Sequence, residues 1–271
     1  MISGPIPVLD NERLSERLYR MTLESAAIAR ESRPGQFVTV RVSSEYDPLL
    51  RRPLGIHRIT NGNSCLQILY RVVGKGTELL SRVSPGEELD VLGPLGTGFT
   101  PPGPGMTALL VAGGIGIAPM LYFAEALLGS SDSPEILLYF GGVTKVDLVV
   151  SDDFDALGVK TALTTEDGTR GRCGMITEAL ELDLGGLDAA KTMIYACGPM
   201  AMLKNVAALA QSAGMPCEVS LERRMACGVG ACMGCVTEVL VKKGDSESIS
   251  HERVCNEGPV FDAGRIVWND V

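Results

Sequence analysis

Ala108-Leu109-Leu110-Val111-Ala112-Gly113-Gly114-Ile115-Gly116-Ile117-Ala118-Pro119-Met120 changes character twice. Its first five residues are apolar without alternation, as in a buried strand. Glycines then dominate, and a second apolar run, Ala118–Leu128, reads as a helix. By hydropathy alone, Ala108 to Leu128 resembles a membrane span, with Glu125 its only charge. Gly113, Gly114, Gly116 and Pro119 interrupt it, so strand, glycine turn and helix are expected instead. Downstream the pattern recurs: a strand at Glu135–Phe140, shorter strand and helix patterns, a strand at Thr192–Ala196 and a helix at Met200–Ser212. Strands alternating with helices predict a doubly wound parallel sheet with helices on both faces.

Upstream the texture differs. Gln36–Val42 and Cys65–Val73 alternate or carry β-branched residues, and Thr60-Asn61-Gly62-Asn63-Ser64 punctuates them. Short strands at this spacing predict a small antiparallel barrel. Gly93 to Gly105 holds five glycines and four prolines and reads as the domain boundary. Beyond about residue 216 lie a cysteine-rich run and a hairpin pattern, Val236–Val241 with Ser248–Val254. The expected division is thus an all-β domain at 1–100, an α/β domain at 101–215 and a small segment at 216–271. For 271 residues this agrees with roughly 100–200 residues per domain.

The net charge of −9 argues against a nucleic-acid surface or an anionic-membrane anchor. Two histidines, His57 and His251, exclude a histidine-rich metal site. Met1-Ile2-Ser3-Gly4-Pro5 lacks the pattern of a secretion signal, so a cytoplasmic chain without disulfides is expected.

Four of the eight cysteines crowd into residues 227–255. Cys227, Cys232, Cys235 and Cys255 follow C-x4-C-x2-C-x19-C, the plant-type ligand pattern of a [2Fe–2S] cluster. Gly228, Gly230 and Gly234 relieve crowding and let backbone N–H groups aim at sulfur. A four-cysteine zinc site is the competing reading, although zinc ligands usually come as two short-spaced pairs. Cys65, Cys173 and Cys217 are isolated and are expected to be small buried residues.

Two turns sit where an open sheet binds ligands, at strand carboxyl ends. Gly113, Gly114 and Gly116 could bring backbone and a helix N-terminus to a pyrophosphate, or form a plain glycine turn. Tyr195-Ala196-Cys197-Gly198-Pro199-Met200 makes the second, with Cys197 either a pocket residue or a buried structural one. In the barrel, Arg51-Arg52-Pro53-Leu54-Gly55, Leu69-Tyr70-Arg71 and Gly74-Lys75-Gly76-Thr77 combine guanidinium groups with a glycine turn suited to phosphate. A solvated basic rim is the alternative.

In this order the motifs resemble the ferredoxin–NADP reductase superfamily. Leu221-Glu222-Arg223-Arg224-Met225-Ala226 before Cys227, and Arg253-Val254-Cys255-Asn256-Glu257-Gly258-Pro259 at the end, are similar to the electron-transfer subunits of type B dihydroorotate dehydrogenases. The resemblance implies FAD, one [2Fe–2S] cluster and exchangeable NAD(H). Arg52, Pro53, Leu54 and Gly55 would hold the flavin ring and a phosphate, with Leu69, Tyr70, Arg71, Gly76 and Thr77 completing that site. Gly113, Gly114 and Gly116 with Cys197, Gly198 and Pro199 would bracket NAD(H), and Thr165–Thr169 would line the same cleft. Gly55 stands where relatives often carry serine, and Leu54 where many carry a flavin-stacking aromatic. Gly141–Lys145 lacks an arginine-rich pattern, which favours NAD over NADP.

The implied function is an oxidoreductase subunit of pyrimidine biosynthesis, passing electrons from an FMN-containing catalytic partner to NAD+ in a two-plus-two heterotetramer. No catalytic side chain is expected, because cofactors carry the chemistry. A ferredoxin reductase or hydrogenase-type flavin subunit shares the fold and cofactors; a zinc-stapled nucleotide-binding regulator belongs to another class. Purification without oxygen separates these: about one FAD and two irons per chain are expected. Zinc with a colourless protein contradicts the cluster.

Overall fold

The computed structural model describes residues 1–243 and 246–268. Residues 2–95 form a closed antiparallel barrel whose six strands all send apolar side chains into one core. Its strands are β1 (Ile2–Arg13), β2 (Leu18–Glu24), β3 (Phe37–Arg41), β4 (Arg52–Thr60), β5 (Cys65–Arg71) and β6 (Glu88–Leu95), joined in the order β1-β2-β5-β4-β3-β6. Val8, Met21, Leu23, Val38, Val40, Ile56, Leu66, Ile68 and Val91 fill the interior. Helix α1 (Ala26–Glu31) packs on this core through Ile28, and the Ser25 hydroxyl caps it by accepting from the Ile28 N–H. Full burial of Ile28 contributes about 1.5–3 kcal/mol. Helix α2 (Lys75–Leu80) follows β5.

The second half is a seven-stranded sheet. β7 (Thr107–Gly113) runs into a short 3-10 turn at Gly114–Ile117 and then α3 (Ala118–Leu128). There follow β8 (Ile136–Gly142), α4 (Ser151–Ala156), β9 (Lys160–Thr165), β10 (Arg172–Cys173), α5 (Ile176–Leu184), β11 (Thr192–Cys197), α6 (Met200–Ala213) and β12 (Cys217–Ser220). The order is β10-β9-β8-β7-β11-β12, all parallel. On β7, Leu109 and Val111 face α5 and α6, while Ala108, Leu110 and Ala112 face α3 and α4. Both faces are covered, hence the unbroken apolar run.

The hairpin is longer than its sequence pattern: β13 (Val236–Lys243) pairs with β14 (Ser246–Arg253), residues 244–245 lying outside the described ones. β15 (Val260–Asp262) then returns to pair antiparallel with β12. The sheet therefore draws strands from both sides of residue 216. Cys235, Val239, Val254, Cys255 and Ile266 share one core with α5 and α6. The glycine- and proline-rich stretch is equally engaged. Gly93–Leu95 finish β6, Phe99 stacks on Phe123 at 4.9 Å, and the Tyr195 hydroxyl donates to the Thr100 carbonyl at 2.7 Å.

Barrel and sheet meet where β4 packs on α3. The fully buried His57 places Nδ1 2.7 Å from the Ala118 carbonyl, so Nδ1–H donates and Nε2 stays unprotonated with no partner. Around it, Arg20 pairs with Asp153, Arg58 with Glu125, and the Tyr122 hydroxyl donates to the Ser32 carbonyl. Burial lowers the His57 pKa from 6.5 to about 4. The unfolded chain binds this proton more readily, so stability is full above about pH 6.5 and is lost as pH falls toward 4. The contribution is on the order of 3 kcal/mol. Thermal denaturation between pH 7 and 5 should show the wild type losing stability more steeply than His57→Gln; equal slopes would discount the histidine.

Candidate functional site

The turns after β7 and β11 interlock through backbone. A Cβ on Gly116 would stand 2.2 Å from the Cys197 carbonyl oxygen, and one on Gly198 would stand 3.0 Å from the Gly113 nitrogen. A Cβ on Gly113 would meet Pro199 Cδ at 2.9 Å. Gly114 holds φ +53, in the left-handed region. Only glycine permits this approach, and the two motifs separate in sequence form one surface. Above it lies a cleft of about 380 Å³, roofed by the barrel.

Arg52, Pro53, Leu54, Gly55, Leu69, Tyr70, Arg71, Thr77 and Cys197 line this cleft; Gly76, Gly113, Gly114, Gly116, Gly198 and Pro199 do not. Gly76 is nonetheless fitted to Arg52, whose Nε would lie 2.2 Å from a Cβ there. The Thr77 hydroxyl shapes the adjoining turn, accepting from the Val73 and Gly74 N–H groups and donating to the Gly74 carbonyl. Tyr70 spends its hydroxyl on Asn11 at 2.8 Å. Arg71 is ion-paired with Asp147 across the two domains at 2.6 Å. Asp147 is itself fixed by the Val143 and Thr144 N–H groups. A Cβ on Gly55 would meet only Pro119 Cδ, at 3.9 Å, so the fold does not require glycine there. Thr165–Thr169 do not line the cleft; Thr169 accepts from the Lys145 N–H and ties two neighbouring loops.

Sequence reasoning did not place Gly35, Phe37, Leu221, Glu222, Arg223 or Pro259 here. Leu221–Arg223 directly follow a parallel strand, and that position was the available signal. Glu222 is the one carboxylate lining the cleft among the described residues, and desolvation holds it above the usual carboxylate range. Burial, with Glu222 nearby, raises the Cys197 thiol far above normal. Cys65 and Cys217 are buried as expected, but Cys173 is exposed because β10 is a two-residue strand at the sheet edge.

The four clustered cysteines stand as two interacting pairs, Cys227 with Cys232 and Cys235 with Cys255. The first pair is on the outside, with Cys232 exposed, and the second is buried. Val229 and Ala231 N–H groups point at Cys227 Sγ at 3.5 and 3.3 Å, and the Gly230 N–H points at Cys255 Sγ at 3.2 Å. Gly228 and Gly230 adopt φ +70 and +82 to allow it. Among the described residues, no three His, Cys, Asp or Glu side chains converge to hold a single ion. Two thiol pairs ringed by N–H donors fit two bridged irons better than one zinc. The cleft likewise fits a flat ring with a charged tail, offering apolar walls at Leu54, Ile115, Pro119 and Leu221 and guanidinium groups at Arg52 and Arg223.

Residues 222–267 match the iron–sulfur cluster binding domain of dihydroorotate dehydrogenase B, and residues 110–208 an oxidoreductase NAD-binding domain. The dihydroorotate dehydrogenase B (NAD(+)) electron transfer subunit of Desulforamulus reducens is 41% identical over 251 residues, covering 92% of each chain. Its counterpart from Geobacillus thermodenitrificans is 40% identical, covering 96% of each. The chain belongs to the family of dihydroorotate dehydrogenase B electron-transfer subunits. As a member of that family it is an oxidoreductase subunit. A solved NADH-dependent reduced ferredoxin–NADP oxidoreductase is similar across 98% of this chain and 91% of its own, with TM-score 0.83 and 28% identity. A ferredoxin–NADP+ reductase from Neisseria gonorrhoeae, with bound FAD and NADP, shares the fold at TM-score 0.68 and 17% identity, over 83% of this chain and 95% of its own. Among the described residues no helix is long and apolar enough to cross a membrane.

The interlocked turns can be tested by contrast. Gly116→Ala should cost about 1–3 kcal/mol through backbone overlap, whereas Gly55→Ala should leave the melting temperature unchanged. Equal tolerance at both positions would contradict the close approach.

Proposed function

We propose that this subunit takes electrons from an FMN-containing dihydroorotate dehydrogenase catalytic subunit and delivers them to NAD+, by way of a [2Fe–2S] centre on Cys227, Cys232, Cys235 and Cys255 and an FAD in the cleft. The supporting observation is how close the two candidate cofactor positions are. A Cβ on Gly228 would lie 3.0 Å from Thr39 on β3, and Thr39 pairs across the ladder with Pro53 in the cleft wall. Met225 and Arg223, just before Cys227, line the cleft themselves. When bound, the flavin supplies the exchange between single electrons and the electron pair of a hydride.

The chain's residues bind and orient. Arg52, set on the Gly76–Thr77 turn, would hold a flavin phosphate, and Leu54, Gly55, Leu69 and Pro119 would flank the ring. Arg71, already paired with Asp147, would contribute charge at the domain seam rather than a free phosphate ligand. Gly113, Gly114 and Gly116 with Cys197, Gly198 and Pro199 would receive the nicotinamide half of NAD(H). Asp147, in the 3-10 turn that follows β8, disfavours a 2′-phosphate, which supports NAD. Neither histidine lines the cleft, so proton handling there falls to Glu222 or water. The exposed Cys232, with Val229 and Met233 beside it, gives the catalytic partner a face to approach, in a cytoplasmic two-plus-two assembly.

Anaerobic co-expression with a candidate FMN subunit tests this. Dihydroorotate-dependent NAD+ reduction is expected, and Cys232→Ser should abolish it while NADH still bleaches the flavin. Ferredoxin reduction without any orotate-linked activity would favour a ferredoxin reductase. Undiminished activity in Cys232→Ser would remove the cluster from the path.

A further inference from the structure

Arg253 ends β14, two residues before Cys255, and its guanidinium turns back toward the cysteine loop. Nη1 donates to the Gly230 carbonyl at 2.5 Å. Nε donates to Glu257 Oε2 at 2.9 Å, and Nη2 donates to Oε1 of the same carboxylate. Glu257 Oε2 also accepts from the Arg253 backbone N–H at 2.7 Å, and Asn256 Nδ2 donates to Oε1 at 2.8 Å. The bidentate pair fixes the guanidinium plane, as the arginine fork allows.

The carbonyl that Arg253 binds belongs to the Gly230–Ala231 peptide. The N–H of that same peptide is the Ala231 donor to Cys227 Sγ at 3.3 Å. Gly230's own N–H, one peptide earlier, points at Cys255 Sγ. A cation on the oxygen of a peptide polarises its N–H, strengthening the bond that the N–H makes in turn. Arg253 thus acts on the outer thiol pair through a peptide.

We propose that Arg253 is a positioning residue that raises the reduction potential of the centre held by these four cysteines, with Glu257 orienting it and offsetting part of its charge. The inference rests on the [2Fe–2S] reading of the cysteines. Four thiolates leave such a centre negatively charged before reduction, and one further electron increases that charge. Hydrogen bonds to sulfur and the net charge nearby set the cost of that electron. The two side chains therefore have opposite signs of effect. Removing the guanidinium makes reduction harder; neutralising Glu257 while keeping an acceptor for Arg253 makes it easier.

The full chain, purified without oxygen, is titrated at poised potentials, reading the reduced cluster by electron paramagnetic resonance and the flavin by absorbance in the same samples. Arg253→Gln should weaken the cluster's electron affinity about tenfold, a negative shift of about 59 mV for one electron. Arg253→Lys should recover part of it, Glu257→Gln should shift the midpoint positively, and the flavin midpoint should stay in place. If Arg253→Gln loses iron, Glu257→Gln decides alone: a positive shift supports the proposal, and no shift or a negative one overturns it. Unmoved midpoints at full iron, or shifts of the same sign in both Gln variants, overturn the tuning role alone. A wild-type chain lacking two irons overturns the cluster reading and this proposal with it.

Discussion

Backbone contact between two glycine turns sets the geometry of the molecule. Gly116 lies against the Cys197 carbonyl so closely that no side chain fits between them. That contact brings the carboxyl ends of β7 and β11 together and fixes where α3 begins. From there Ala118 offers its carbonyl to His57, and Pro119 reaches the cleft wall. Barrel and sheet are thus registered against each other by the same turn that floors the cleft.

Charge is distributed with equal economy. The chain carries a net −9, yet the cleft is lined by Arg52, Arg71 and Arg223 against the single carboxylate of Glu222 among the described residues. An acidic protein that gathers guanidinium groups around an apolar slot is organised for an anionic, partly aromatic ligand. The cysteine loop solves a different problem, surrounding sulfur with N–H dipoles and one anchored cation. The two environments meet at the packing of Gly228 on Thr39.

Much of this was legible in the sequence. β7, its turn and α3 could be read because a strand covered on both faces is apolar throughout. The cysteine cluster stood out because three of its four members lie within nine residues. What escaped depends on distant partners. Arg71 looked like a free phosphate ligand, but Asp147 lies 76 positions away. Leu221–Arg223 reach the cleft only because β12 ends there, and β12 is secured by a strand some forty residues later. Cys173 resembles its buried counterparts until β10 is placed at the sheet edge.

β15 carries one more consequence. Ser220 and Val260 face each other across the β12–β15 ladder, so residues 221–259 leave and re-enter the sheet at adjacent points. The ends of that excursion are joined by the sheet's own hydrogen bonds, and its loop-closure entropy is met whether or not metal is bound. A segment tethered in this way is held at both ends while Cys235, Val239, Val254 and Cys255 pack into the core shared with α5 and α6. It works as an adaptor, one end facing the cleft and the other facing out.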